Sequence, residues 1–242
     1  MLDVHPPHSP THTWKDFFIH IATITVGLLI AVGLEQTVEY FHHRHQRHQL
    51  EEQVHAEAEH NLAIVQINLG RLHEQREFVD ASIVALNTAS VSGDRIDMRL
   101  LPQPRPQLFA INIFGASQTA WAVAISSGTV ALLPAEEAQV YARLDHEADV
   151  IAQDTALAGA RRGLAILNRS RQGLLPPQAF LLTLAQRGAY LQAYATLSNA
   201  FRIMILLQLN EAGACRGVLH GAHSVDEMFQ YMLEEDKQAP KF

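Results

Sequence analysis

Eighteen consecutive uncharged residues, Phe17 to Leu34 (FFIHIATITVGLLIAVGL), constrain this chain more than any other feature. As a helix they reach roughly 27 Å, close to the ~30 Å hydrocarbon thickness of a bilayer. Lys15 and Asp16 bound the run on one side and Glu35 on the other. Trp14, Phe17 and Phe18 stand at one edge and Tyr40 and Phe41 beyond the other, as interfacial anchors do. A cleaved signal peptide fits poorly, because MLDVHPPHSPTHT holds no Lys or Arg and Glu35-Gln36-Thr37 is not a small-x-small site. A buried core helix of this length without a charge is the less usual alternative. The expectation is one retained membrane helix over residues 14–41, with the lipid bilayer as its first partner, preceded by an extended tail over 1–13.

Composition narrows what the rest can be. With 48% hydrophobic residues the chain is too apolar for disorder. Its single cysteine, Cys215, excludes an internal disulfide framework and a Cys-rich zinc site. A net charge of −7 argues against nucleic acid as a partner, since that needs a basic face.

Beyond the anchor no proline occurs before Pro102, so the membrane helix is expected to run on into a long bundle helix over about 42–90. Leu62, Val65, Leu69, Leu72, Arg76, Val79, Ile83 and Leu86 follow a 3-4 rhythm, the seam of a coiled coil or bundle, with Arg76 the exception. Pro102, Pro104 and Pro106 mark a connector. A buried helix is expected over 108–128 with Gly128 as its C-cap, and another over 134–168, opening on Pro134, Glu136 and Glu137. Gly173 and Pro176-Pro177 break it. The next helix, 177–213, carries Phe180, Leu184, Leu191, Tyr194, Leu197, Phe201 and Ile205 and ends by Gly213 or Gly217. Ser224 and Glu227 form a capping box opening a helix over 224–235, before a loose tail at 237–242. The best strand candidate, Val130 to Pro134, is too short to weigh. The fold class expected is all-α: an N-terminal transmembrane helix continuous with a long bundle helix, then an antiparallel helical bundle over 42–236. A helix running from 14 to 90 overhangs its partners, which argues for a homo-oligomer or another membrane protein against its seam.

Histidine is the unusual residue. His42, His43, His45, His48, His55 and His60 lie just beyond the apolar run. Glu39/His42, Glu52/His55 and Glu57/His60 have the i, i+3 spacing used in metal-binding bundles. These six form a candidate site for Zn²⁺, Ni²⁺ or Cu²⁺, since imidazole alone does not choose the metal. The competing reading is a polar helix face with histidine standing for other polar residues. No second helix supplies a matching Glu-x-x-His; Glu136, Glu137, Glu147 and Glu211 are the acids on offer, His146-Glu147 the nearest to a motif. His5, His8 and His12 of the tail could gather with His20, which sits near the edge of the apolar run. Thr23, Gly27 and Ala31 form a small-residue stripe through which membrane helices approach one another.

No nucleophile elbow, P-loop, dinucleotide fingerprint or H-E-x-x-H occurs, so no catalytic and no cofactor-binding residue is assigned. Cys215 reads as a buried thiol and Trp121 as a core residue.

The stretch HPPHSPTHTWKDFFIHIATITVGLLIAVGLEQTVEYFHHRHQ resembles the N-terminal signature of a group of uncharacterised bacterial single-pass membrane proteins: a histidine-dotted tail, W-K-x-F, a span ending G-L-x-I-A-x-G-L-E-Q, and a histidine-rich exit. Trp121 to Tyr141 resembles a looser second signature of the same group. The resemblance implies a helical protein anchored in a bacterial inner membrane and brings no activity with it. The function expected is a non-enzymatic accessory or scaffold protein, its soluble domain on the periplasmic side, with a metal-responsive sensor built on the histidines as the alternative. An extracytoplasmic ligand sensor ranks last, having neither a second span nor an output domain.

Overall fold

The computed structural model describes residues 14–89, 95–97, 102, 116–152, 155–171 and 181–238. The tail 1–13 with His5, His8 and His12, the start of the helix expected over 108–128, the break at Gly173 and Pro176-Pro177, and residues 239–242 lie outside them. The described chain is all-α, with six α-helices: α1 (Trp14–Thr88), α2 (Thr119–Ser127), α3 (Ala135–Ala152), α4 (Thr155–Arg171), α5 (Leu184–Leu219) and α6 (Val225–Gln238). Two short strands, β1 (Arg95–Asp97) and β2 (Leu181–Thr183), pair antiparallel with Ile96 opposite Leu182. Neither was anticipated: three residues are too few to show alternation, and Leu182 is fully buried.

Contacts divide the chain into two units, Met1–Gln49 and Leu50–Phe242. In the first, every residue from Trp14 to His42 is exposed. An 18-residue stretch of α1 has a mean hydropathy of 2.3 and is long and apolar enough to cross a membrane.

In the second unit, α1 and α5 run antiparallel, as four hydrogen bonds show. Asn61 bonds Glu211, Asn68 bonds Gln208, Asp80 accepts from Ser198, and the Asn87 carbonyl accepts from Arg187. The pairing fills the seam within the chain, from Leu50 to Leu86, so the seam by itself demands no second chain. The seam is also turned from the one expected. Ala58, Val65, Leu72, Val79 and Leu86 form one buried column at heptad spacing. The other is Val54, Asn61, Asn68, Gln75 and Ser82, whereas Leu62, Leu69, Arg76 and Ile83 are only half-buried. The polar column is tolerated because α5 presents Gln208 and Glu211 opposite it.

Two apolar cores flank this polar layer. One gathers Leu72, Phe78, Val79 and Leu86 of α1 with α4 and with Tyr190, Tyr194, Leu197 and Phe201 of α5. The other gathers Leu50, Val54 and Ala58 of α1 with Ala124, Val140, Leu144, Cys215, Met228 and Met232. The residues expected as one helix over 134–168 are described as two, α3 and α4, and Gln153 and Asp154 between them lie outside the described residues. Gly128 takes the left-handed conformation (φ 77°) and caps α2, as expected. Val130 lies in a 3₁₀ turn, Thr129–Leu132, and not in a strand. Ser224 Oγ accepts from the Glu227 N–H and opens α6, while Glu227 Oε2 takes the N–H of His223, one residue earlier than a capping box requires.

The largest departure is α5. It passes through Gly213 and Gly217 to Leu219. Both glycines are there for close approach: a Cβ at 213 would strike the Met232 backbone, 2.7 Å from its N, and one at 217 would meet Met228 Cγ at 3.0 Å. Helix α6 therefore rests directly on α5 backbone. Gly213→Ala is expected to destabilise the detergent-solubilised full chain by about 1–3 kcal/mol through overpacking. Gly188→Ala, with open space around it in the same helix, should stabilise it by up to about 1 kcal/mol. Denaturant melts of the two variants check the contrast, and equal shifts would contradict it.

Candidate functional site

The expected metal ligands are placed as follows. His42, His45, His48 and His60 are exposed and His43 and His55 half-buried, all on α1. His43 Nε2 lies 3.9 Å from Glu39 Oε1, one turn back. Among the described residues no three His, Cys, Asp or Glu side chains converge as a metal site. A single helix brings only i, i+3 and i, i+4 neighbours together, and among the described residues no second element brings ligands to these. Thr23, Gly27 and Ala31 lie exposed on one face of α1, nothing approaches within 4 Å of a Cβ built at Gly27, and the Thr23 hydroxyl donates to the Ile19 carbonyl.

The concentration of buried polar chemistry lies in the second unit, where α1, α3 and α5 meet the start of α2. Asn61 of α1 is its hinge. Its Oδ1 accepts from the Ser117 N–H (2.8 Å) and its Nδ2 donates to the Ser117 carbonyl (3.0 Å) and to Glu211 Oε1 (3.4 Å). One turn earlier, Glu57 Oε2 accepts from the Ala120 N–H at 2.6 Å. Gln118 offers α2 no side-chain cap, so a carboxylate from α1 meets the positive end of that helix instead. Gln118 Nε2 in turn donates to the Asp145 carbonyl of α3.

Glu211 is fully buried. Its Oε1 takes the long bond from Asn61 and another from Cys215 Sγ at 3.6 Å, and its Oε2 has no hydrogen-bond partner among the described residues. Burial chiefly, opposed by the Cys215 and Asn61 bonds and reinforced by the negative charges of Glu147 and Glu57, pushes its carboxyl up to about 8. Glu211 is therefore a neutral acid at pH 7. Glu147, also buried, is paired with Arg143, whose guanidinium sits 5.1 Å above the Phe229 ring. The Cys215 thiol is pushed up by burial and then by the nearby Glu211. It is an inert buried thiol, as the sequence suggested, and no nucleophile.

A small cleft of about 10 Å³, room for one water, opens between Val54, Glu57, Ser117, Trp121, Leu144 and Asp145. Burial, then the Glu57 and Asp149 charges, raises the Asp145 carboxyl, with His146 opposing. Trp121 is half-buried against the second core. The arrangement binds helices to one another; it presents no nucleophile–base pair. Glu147 and Glu211 were visible in the sequence as acids. Asn61 carried no signal, since an asparagine between Leu62 and a histidine reads as surface.

A carboxyl raised in the folded state from 4.5 toward 8 costs stability as pH rises through that window, because the folded chain keeps a proton that the unfolded chain has released. The free energy of unfolding should fall by up to about 1.4 kcal/mol per pH unit between 4.5 and 8 and then level off. Glu211→Gln should flatten that slope and be the more stable protein at pH 8. Urea unfolding at several pH values reads the effect, and parallel profiles for the two proteins would contradict it. Compared with protein families, with curated proteins and with solved structures, the chain matches none.

Proposed function

We propose that this chain is a membrane-anchored, non-enzymatic accessory or scaffold protein of a bacterial inner-membrane assembly, its helical domain on the periplasmic side. The observation that carries the reading is the contrast along α1. From Phe17 to Leu34 it offers apolar side chains all round and buries none of them, whereas from Leu50 on it buries one face against helices of the same chain. A segment so apolar and so exposed suits a non-aqueous surrounding. Within it, Thr23, Gly27 and Ala31 allow close helix approach, the mode by which membrane helices associate. The buried polar layer of the bundle supports the same reading, because its groups are spent on joining helices.

Two results are expected. The full chain stays with the membrane after alkaline carbonate washing, and protease added to spheroplasts from outside cuts the helical domain. Gly27→Leu combined with Ala31→Leu preserves membrane insertion and removes the co-purifying partner, or the self-association, that the wild-type chain shows in mild detergent. Release by carbonate overturns the anchor; an unchanged set of partners and oligomers in the double variant overturns the stripe as contact surface.

A further inference from the structure

Past the apolar segment, α1 changes character within two turns. Leu34, Val38 and Phe41 remain exposed, at 63%, 68% and 60%. Tyr40 and Phe41 form an edge-on pair with centroids 5.8 Å apart, the type of residue that marks a bilayer interface. Then comes HHRHQRH, residues 42–48, in which every residue but Gln46 carries a hydrogen-bond donor on an imidazole or a guanidinium. Helical spacing puts Phe41, Arg44, His45 and His48 on one face, all exposed, in line with Val38 and Leu34. Of the nearby acids, Glu35 and Glu39 fall on another face, where Glu39 meets His43, and Glu52 stands on the same face one turn beyond His48, further from the apolar segment.

Direction strengthens the arrangement. In an α-helix each Cα–Cβ bond tilts toward the N-terminus. Side chains at 44, 45 and 48 therefore lean back toward the apolar segment, and the long arginine reaches further still while keeping its head polar. Lys15, at the opposite end, leans away from it. A guanidinium offers a planar set of donors matched to phosphate oxygens, and a neutral imidazole still donates one N–H.

We propose that Arg44, His45 and His48 form a collar that binds the phosphate headgroups of anionic phospholipids at the bilayer surface beside the apolar segment. This rests on the membrane reading above, and charge complementarity with position along the helix names the occupant.

The test is native mass spectrometry of the full chain in mild detergent, offered phosphatidylglycerol and phosphatidylcholine in equal amounts. The wild-type chain is expected to retain phosphatidylglycerol about tenfold over phosphatidylcholine. Arg44→Gln with His45→Gln should bring the two near parity, while Lys15→Gln keeps the preference and excess inorganic phosphate does not abolish it. Equal retention of both lipids by the wild-type chain, an unchanged preference in the double variant, or displacement by phosphate alone would overturn the collar. Carbonate extraction of the same variants separates the two readings: a protein that stays in the membrane without lipid preference overturns the collar only, and one that is washed off overturns the anchor beneath it.

Discussion

The second unit depends on a buried amide. Asn61 spends its carbonyl oxygen and its NH₂ group on three partners from two other segments, both polar atoms of Ser117's backbone and Oε1 of Glu211. Each bond is modest by itself, but leaving such a group buried without a partner costs about 1–3 kcal/mol. A shift of α1 along α5 would leave Asn61 and Asn68 facing apolar side chains and separate Gln208 and Glu211 from theirs. An unbroken aliphatic seam tolerates such shifts far better, so the polar column sets register as polar residues do in coiled coils. Once α1 and α5 are registered, Ser117 is placed, α2 starts where Glu57 can meet its N-terminus, and Gly213 and Gly217 stand where α6 needs them.

The same layer shows four carboxyl groups handled in four ways. Glu57 accepts the Ala120 N–H at a helix start. Glu147 is neutralised by Arg143, which is itself laid over Phe229. Asp145 borders a cleft wide enough for a water. Glu211 has none of these, since Asn61 and Cys215 donate only at long range, and it avoids the cost of a buried charge by keeping its proton. Crowding of acids around a polar layer therefore needs no metal to explain it.

What the sequence disclosed follows from which signals are local. The apolar run, the Gly128 cap, the opening of α6 at Ser224 and half of the α1 seam each show in a window of a few residues. What stayed hidden depends on residues far away in sequence. Asn61, Asn68 and Gln75 read as surface until Gln208 and Glu211 are set opposite them, and an apolar rhythm then selects the neighbouring column of Leu62, Leu69 and Ile83. Gly213 and Gly217 read as helix ends because a glycine looks the same whether it stops a helix or admits another one. Histidine abundance suggested a metal site, but among the described residues the six histidines lie on one helix with no three ligands converging.

Helix α1 passes through three side-chain regimes without a change in backbone. A helix satisfies its own N–H and C=O groups, so the backbone is indifferent to what surrounds it and only the side-chain pattern has to change. From Phe17 to Leu34 the pattern is apolar all round, from Glu35 to Gln49 it is charged and imidazole-rich, and from Leu50 to Leu86 it is one-sided. No proline or glycine pair interrupts the transitions, since Gly27, Gly33 and Gly70 stand singly inside continuous helix. The seam of the third regime is filled from within the chain, and among the described residues none covers the first. Among the described residues, the apolar side chains of the first regime are therefore left exposed to whatever surrounds the chain.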